Sequence, residues 1–86
     1  MNKSEFFKFA MEKSNSDKVI ILTNHYQILG TVYDCEVCNN DCYINLTDVS
    51  LCKFDDNYIH TCDEYEKNHY DWLNINLEKV VAFSFV

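Results

Sequence analysis

The chain of 86 residues has no proline, no arginine and only one glycine, Gly30. Without arginine it lacks the guanidinium groups that nucleic-acid-binding proteins use for bidentate contacts to phosphate and guanine. With one glycine it cannot build the glycine-rich loop that cradles a nucleotide phosphate. No apolar run approaches the roughly 20 residues of a membrane-spanning helix. Charged residues spread through positions 1–13 also argue against a secretory signal, so we expect a cytoplasmic protein with no membrane segment.

Hydrophobic residues make up 48% of the chain and aromatic residues 15%, which predicts a folded protein. Its length predicts a single domain, covering residues 1–86. A domain of this size buries only about 60% of the surface of its unfolded chain. Oligomerisation or a bound metal would therefore add useful stability.

The charge is strongly negative and unevenly distributed. Seven lysines face 14 acidic residues, which gives a net charge of −7. Four of the lysines and three of the acids lie in residues 1–18, whereas residues 19–86 hold three lysines and eleven acids. An acidic surface of this kind suits the basic groove of a protein partner better than it suits phosphate.

Hydrophobic periodicity predicts one helix and five strands. The helix spans residues 3–14, where Phe6, Phe7, Ala10 and Met11 recur at spacings of three and four. The strands are expected at residues 18–23, 27–38, 42–54, 70–76 and 80–85, with an exposed acidic loop at 55–69.

The third strand contains a break in its alternation. Ile44 and Leu46 share one face, and so do Val49 and Leu51, but both pairs fit one face only if a residue slips near Thr47-Asp48. Such a slip is typical of a β-bulge, which lets a strand curve around a small barrel. The sequence therefore predicts a mostly β fold, a helix followed by a bent five-stranded antiparallel SH3-like barrel (residues 18–86).

Three segments resemble the Sm-like family, which includes bacterial Hfq and the Sm rings of eukaryotes and archaea. Residues 19–22 and 28–32 are similar to the opening strand pair of that family. Residues 41–46 (DCYINL) fit its Asp-x-aromatic-aliphatic-Asn-Leu signature, and residues 75–83 fit the spacing of its closing motif. The leading helix also agrees, so the resemblance covers most of the chain.

The resemblance implies a homo-oligomeric ring of six or seven subunits that binds single-stranded, often uridine-rich RNA. In such rings an aromatic residue stacks on a base, an asparagine bonds the base edge and an aspartate holds the asparagine. The matching residues are Tyr43, Asn45 and Asp41. The alternative is that Asp41 ends a turn and Asn45 satisfies polar groups of the barrel. The family's closing Arg-Gly is replaced here by Asn76-Leu77, so the cation of the base pocket is missing.

A second hypothesis assigns the chain to a different class, an acidic protein-binding module. It would act as an adaptor, or as an inhibitor that covers the basic groove of a nucleic-acid-binding protein. Its contact residues would be the acids of the loop, namely Asp55, Asp56, Asp63, Glu64 and Glu66. An enzyme is not expected, because neither a nucleophilic triad nor a catalytic metal motif is present.

Five cysteines allow a metal site. Cys35, Cys38, His60 and Cys62 would form an acceptable tetrahedral zinc set. The alternative is that the cysteines alternate along strands as small buried hydrophobic residues. Because no secretory signal is expected, we predict reduced thiols, with zinc as the one cofactor to consider.

Overall fold

The computed structural model describes residues 1–38, 41–53 and 68–86. In these ranges helix α1 (Lys3–Ser14) is followed by five strands, β1 (Lys18–Leu22), β2 (Tyr26–Cys38), β3 (Asp41–Lys53), β4 (Asn68–Asn76) and β5 (Ala82–Phe85). A short 3-10 helix, Leu77–Lys79, connects β4 to β5. The strands form one antiparallel sheet in the order β4-β3-β2-β1-β5. The prediction of a mostly β fold with a leading helix is therefore confirmed.

The sheet is open rather than closed into the expected barrel. β4 pairs with β3 and β5 pairs with β1, and within the described ranges no pairing joins β4 to β5. Strands β4 and β5 therefore lie at opposite edges of the sheet. The predicted loop 55–69 is also too long at its end, because Asn68 and His69 pair with Leu51 and Ser50 as the first residues of β4.

Helix α1 is held by its caps and by one buried ring. The side chain of Asn2 accepts a hydrogen bond from the backbone N–H of Glu5, and Asn15 ends the helix in the left-handed conformation that asparagine tolerates. Phe7 is fully buried, and its ring lies 4.8 Å from that of Phe83. Phe6, expected on the same apolar stripe, is 54% exposed, although its ring lies 5.9 Å from that of Phe83.

Two register shifts bend the long strands β2 and β3. Between the pairs Leu29–Ser50 and Thr31–Thr47, β3 contains one more residue than β2. Asp48 lies there with a φ of 53°, which confirms the slip expected near Thr47-Asp48. Between the pairs Val32–Leu46 and Asp34–Asn45 the extra residue is Tyr33 of β2.

The core lies on one side of this bent sheet, beneath α1. Its buried residues come from every element except β5, whose Phe83 and Phe85 pack against them. They are Phe7, Val19, Ile21, Ile28, Val32, Cys42, Ile44, Leu46, Val49, Ile75, Leu77 and Val80. No helix in the described ranges combines the length and the apolar character needed to cross a membrane.

Candidate functional site

The side of β2, β3 and β4 that faces away from the core is polar and aromatic. Side chains alternate along a strand, so the residues between the buried positions point to this side. We call this surface the outer face; it consists of Thr31, Tyr33, Asp34, Glu36, Tyr43, Asn45, Thr47, Trp72 and Asn74. It has two carboxylates, three aromatic rings and no lysine.

A row of hydrogen-bonded side chains crosses the outer face. Asp34, Asn45 and Asn74 are register partners on the three adjacent strands. The Nδ2 of Asn45 donates to Oδ1 of Asp34 at 2.6 Å, and the Nδ2 of Asn74 donates to Oδ1 of Asn45 at 2.6 Å. Because a carboxylate strengthens the bonds of the amides that follow it, this row fixes three side chains in one arrangement.

Next to this row, two exposed rings form a corner. The register shift at Tyr33 places its ring 5.1 Å from that of Trp72, at an interplanar angle of 83°. Trp72 is 61% exposed and Tyr33 is 66% exposed. Thr31 of β2 pairs with Thr47 of β3, and Thr47 pairs with Trp72 of β4, so the three strands are adjacent at this point. Two large rings that stay in water without a covering partner mark a surface suited to binding.

The charges around this corner are negative. Asp34 and Glu36 of β2 lie on the same outer face as the two rings, whereas Asp71 directly precedes Trp72 in β4 and therefore points to the opposite side of that strand. Nε2 of His69 lies 3.5 Å from Oδ1 of Asp48 and 3.6 Å from Oδ1 of Asp71, and all three side chains are more than half exposed. The carboxylates that share the outer face with the corner are therefore those of Asp34 and Glu36.

Two lysines of the helix are engaged elsewhere. Nζ of Lys3 donates to the backbone carbonyls of Val80 and Leu77, at 3.1 and 3.4 Å. Nζ of Lys13 lies 5.6 Å from the centroid of the Phe9 ring. The positive charge of residues 1–18 therefore belongs to α1 and the start of β1, away from the outer face.

The residues that the Sm-like resemblance assigns to an RNA pocket lie in β3. Tyr43 and Asn45 share the outer face, two residues apart, and both are half-buried. Asp41 begins β3 opposite Cys38. The carboxylate bonded to Asn45 is that of Asp34, so in this structure it is not Asp41 that holds the asparagine.

Most residues of the other two predicted sites lie outside the residues that the structure describes. This applies to all five acids of the protein-binding hypothesis, Asp55, Asp56, Asp63, Glu64 and Glu66. In the zinc set it applies to His60, to Cys62 and to the side chain of Cys38. Within the described ranges no three histidine, cysteine or acidic side chains converge on a metal position. The zinc set stays a prediction.

The cysteines of the described strands differ in state. Cys35 and Cys42 are free thiols on the core side, and Cys42 is buried. Burial raises the pKa of the Cys35 thiol, and the neighbouring Cys42 raises it further, while the Lys8 ammonium acts in the opposite direction. Cys52 is disulfide-bonded, so the expectation of reduced thiols is wrong for this residue.

Sequence reasoning missed the partnership of Asp34 with Asn45 and of Tyr33 with Trp72. The first could be found by extending the pairing of Cys38 with Asp41 back along both strands, which places Asp34 opposite Asn45. The second depends on the extra residue at Tyr33, for which the apolar pattern of β2 carries no signal. The structure places Trp72 on the surface, where it is 61% exposed.

The chain matches no protein-family model, no curated protein and no solved structure.

Proposed function

We propose that this chain is an acidic protein-binding module that docks a positively charged partner on its outer face. The observation that carries the proposal is the exposed Tyr33–Trp72 corner, set among carboxylates on a surface without lysine. The proposal keeps the class of the second hypothesis, an adaptor or an inhibitor of a nucleic-acid-binding protein. It places the contact on the described strands instead of the loop acids.

The chemistry of the corner fits arginine or lysine side chains. A cation is attracted to an aromatic face within about 6 Å of the ring centroid, and more strongly when water is excluded. A neighbouring carboxylate adds a charge-assisted hydrogen bond, which is roughly twice as strong as a neutral one. Asp34 and Glu36, which lie on the same face, can supply such bonds. A phosphate at the same place would meet only repulsion from these groups.

A ring-forming, Sm-like assembly is the second candidate, and a separate observation favours it. Among the described strands, β4 and β5 lie at opposite ends of the strand order, and each pairs with one neighbour only. If β4 of one subunit paired with β5 of the next, the contact would be head-to-tail, and such contacts close into rings when the rotation allows. Native mass spectrometry tests this: a hexamer or heptamer supports the ring, and a monomer contradicts it.

Trp72 provides the readout for the first candidate, because it is the only tryptophan in the chain. The probes are a short arginine-rich peptide, a neutral glycine-serine peptide of equal length and an oligo-uridine. We expect the arginine-rich peptide to change the Trp72 fluorescence saturably and the other two to leave it unchanged. Binding should weaken steeply between about 0.05 and 0.5 M salt, because exposed charges are screened.

Variants locate the contact. Glu36→Lys should weaken peptide binding by about three- to tenfold, since it replaces an attractive charge on the outer face by a repulsive one. Glu78→Lys makes the same change in net charge in the 3-10 helix and should have little effect. Saturable binding of oligo-uridine at Trp72, or equal effects of the two variants, would overturn the proposal.

A further inference from the structure

The second half of β2 has a free edge. β1 pairs with β2 only from Gln27 to Thr31. The backbone N–H of Val32 then donates to the carbonyl of Asp17 at 2.7 Å, which ends the contact. From Asp34 to Cys38, β2 pairs with β3 on one side, and the described residues provide no backbone partner on the other. An edge of this kind offers alternating N–H and C=O groups to an added strand.

A groove runs beside this edge. It lies between β2 and helix α1 and has a volume of about 410 Å³. Proteins bind ligands in cavities of about 300–1,000 Å³, so the size is adequate for a chain segment. Lys8, Met11 and Glu12 line it on the helix side, and Asp17 lies at its end. Residues 32–35 form the strand side.

The charges along the groove and the edge favour a positively charged segment. Glu12, Asp17 and Asp34 line the groove against a single cation, Lys8. Glu36, further along β2, is exposed on the outer face. Because residues of an added strand would alternate in direction, every second side chain would lie on the side of Asp34 and Glu36. The others would lie on the core side, where Met11 and Cys35 are partly buried and pack against the apolar core.

We infer that the basic partner binds as an added β-strand along residues 34–38 of β2, beside α1. The segment it contributes is extended, with arginine or lysine at alternate positions and apolar residues between them. Backbone hydrogen bonds to the free edge give affinity, and the acids beside the edge select the positive side chains. This inference rests on the proposed function and specifies how and where the partner is held.

The test uses the full chain and two forms of one short peptide in which arginine and valine alternate. In the second form the amide nitrogens of one edge are methylated, which removes the donors of that edge and leaves the charge unchanged. We expect the unmodified peptide to bind and the methylated form to bind at least about tenfold more weakly, because two or three hydrogen bonds are lost. Hydrogen exchange should show new protection at the amides of residues 34–38 and none in β5.

Charge variants on one helix provide a matched pair. Glu12→Lys lies in the groove and should weaken binding of the unmodified peptide by about three- to tenfold. Glu5→Lys makes the same change in net charge in the first turn of α1, outside the groove, and should leave the affinity unchanged.

The outcomes separate this inference from the proposed function. If both peptide forms bind equally, change the Trp72 fluorescence and leave residues 34–38 unprotected, the inference is wrong and the protein-binding function stands. If neither form binds, the proposed function fails as well. Protection of residues 34–38 that grows with protein concentration, without peptide, would assign the edge to a second copy of the chain and overturn the inference.

Discussion

The two faces of the same three strands have opposite compositions. On the core side, Val32, Leu46 and Leu73 are register partners, and the first two are buried. On the outer face the next row is Asp34, Asn45 and Asn74, joined by hydrogen bonds between side chains. Exposing the core side to water would destabilise the fold, because burial of its apolar residues favours the folded state. The outer face joins the side chains of this row to one another and leaves the rings of Tyr33 and Trp72 in water.

The two faces are therefore expected to affect different properties: the core side affects stability, and the outer face affects the proposed binding. Residues on the core side are constrained by volume, so a change there alters the free energy of unfolding. If the outer face binds a partner as proposed, its residues are constrained mainly by the side chains that they present to that partner. A substitution that changes the free energy of unfolding but not the affinity, or the reverse, therefore tests the assignment of each face.

The largest effect is expected for Leu46→Ala on the core side. Leu46 is fully buried, and the substitution should lower the free energy of unfolding by about 2–5 kcal/mol, through lost burial and a residual cavity. Its neighbour Thr47 lies on the outer face, so Thr47→Ala should cost less than about 0.5 kcal/mol. Urea denaturation followed by Trp72 fluorescence measures both. Equal losses for the two variants would contradict the division of the strand into two faces.

The second prediction concerns the backbone conformation of Asp48 at the bulge in β3. Its φ of 53° lies in the left-handed region, where a β-branched residue is strained. Asp48→Val should therefore lower the free energy of unfolding by about 1–2 kcal/mol. Asp48→Gly removes the same carboxylate without strain and should be close to neutral, which separates the backbone effect from the charge. If both variants lose equal stability, the conformation of Asp48 is not the cause.

The polar row should contribute less than the core. Asn45→Ala removes both hydrogen bonds of the row and leaves the carboxylate of Asp34 without this partner. We expect a loss of about 1 kcal/mol in the free energy of unfolding, since the site is only partly buried. Asn74→Ala removes one exposed bond and should cost about half as much. A larger loss for Asn74→Ala would show that the row does not act as described.

The smallest effect concerns the thiol at the groove. Because burial raises the pKa of Cys35, this thiol should remain protonated at neutral pH and react slowly with iodoacetamide. The folded state binds the proton more tightly than the unfolded state, so the free energy of unfolding should fall as the pH rises above the ordinary thiol range. Between about pH 7 and 10 this fall should be smaller in Cys35→Ala. A Cys35 that alkylates as fast as a fully exposed thiol would contradict the raised pKa.

The apolar pattern was enough to predict the elements and the bulge. Residues 3–14 have helical spacing and residues 19–22 have a β-branched centre, and both became the expected helix and strand. Ile44 and Leu46 can share the core side with Val49 and Leu51 only if one extra residue lies between the two pairs. This requirement predicted the slip near Asp48, because the register of a strand with one buried face is set by its apolar residues. Closure of the barrel was not predictable in this way, since it depends on whether two distant edge strands meet.

The sequence by itself determined which residues share a face within each alternating run, because alternation is a local property of the backbone. It also determined the excess of acids and the absence of arginine. Only the tertiary structure decided which polar groups meet, since Asp34, Asn45 and Asn74 come from three strands and Tyr33 reaches Trp72 through an extra residue in β2. It also decided that β1 begins at Lys18, opposite Thr31, so that residues 34–38 of β2 have no backbone partner on this side among the described residues. Contacts between distant segments depend on register and packing, which no local pattern specifies.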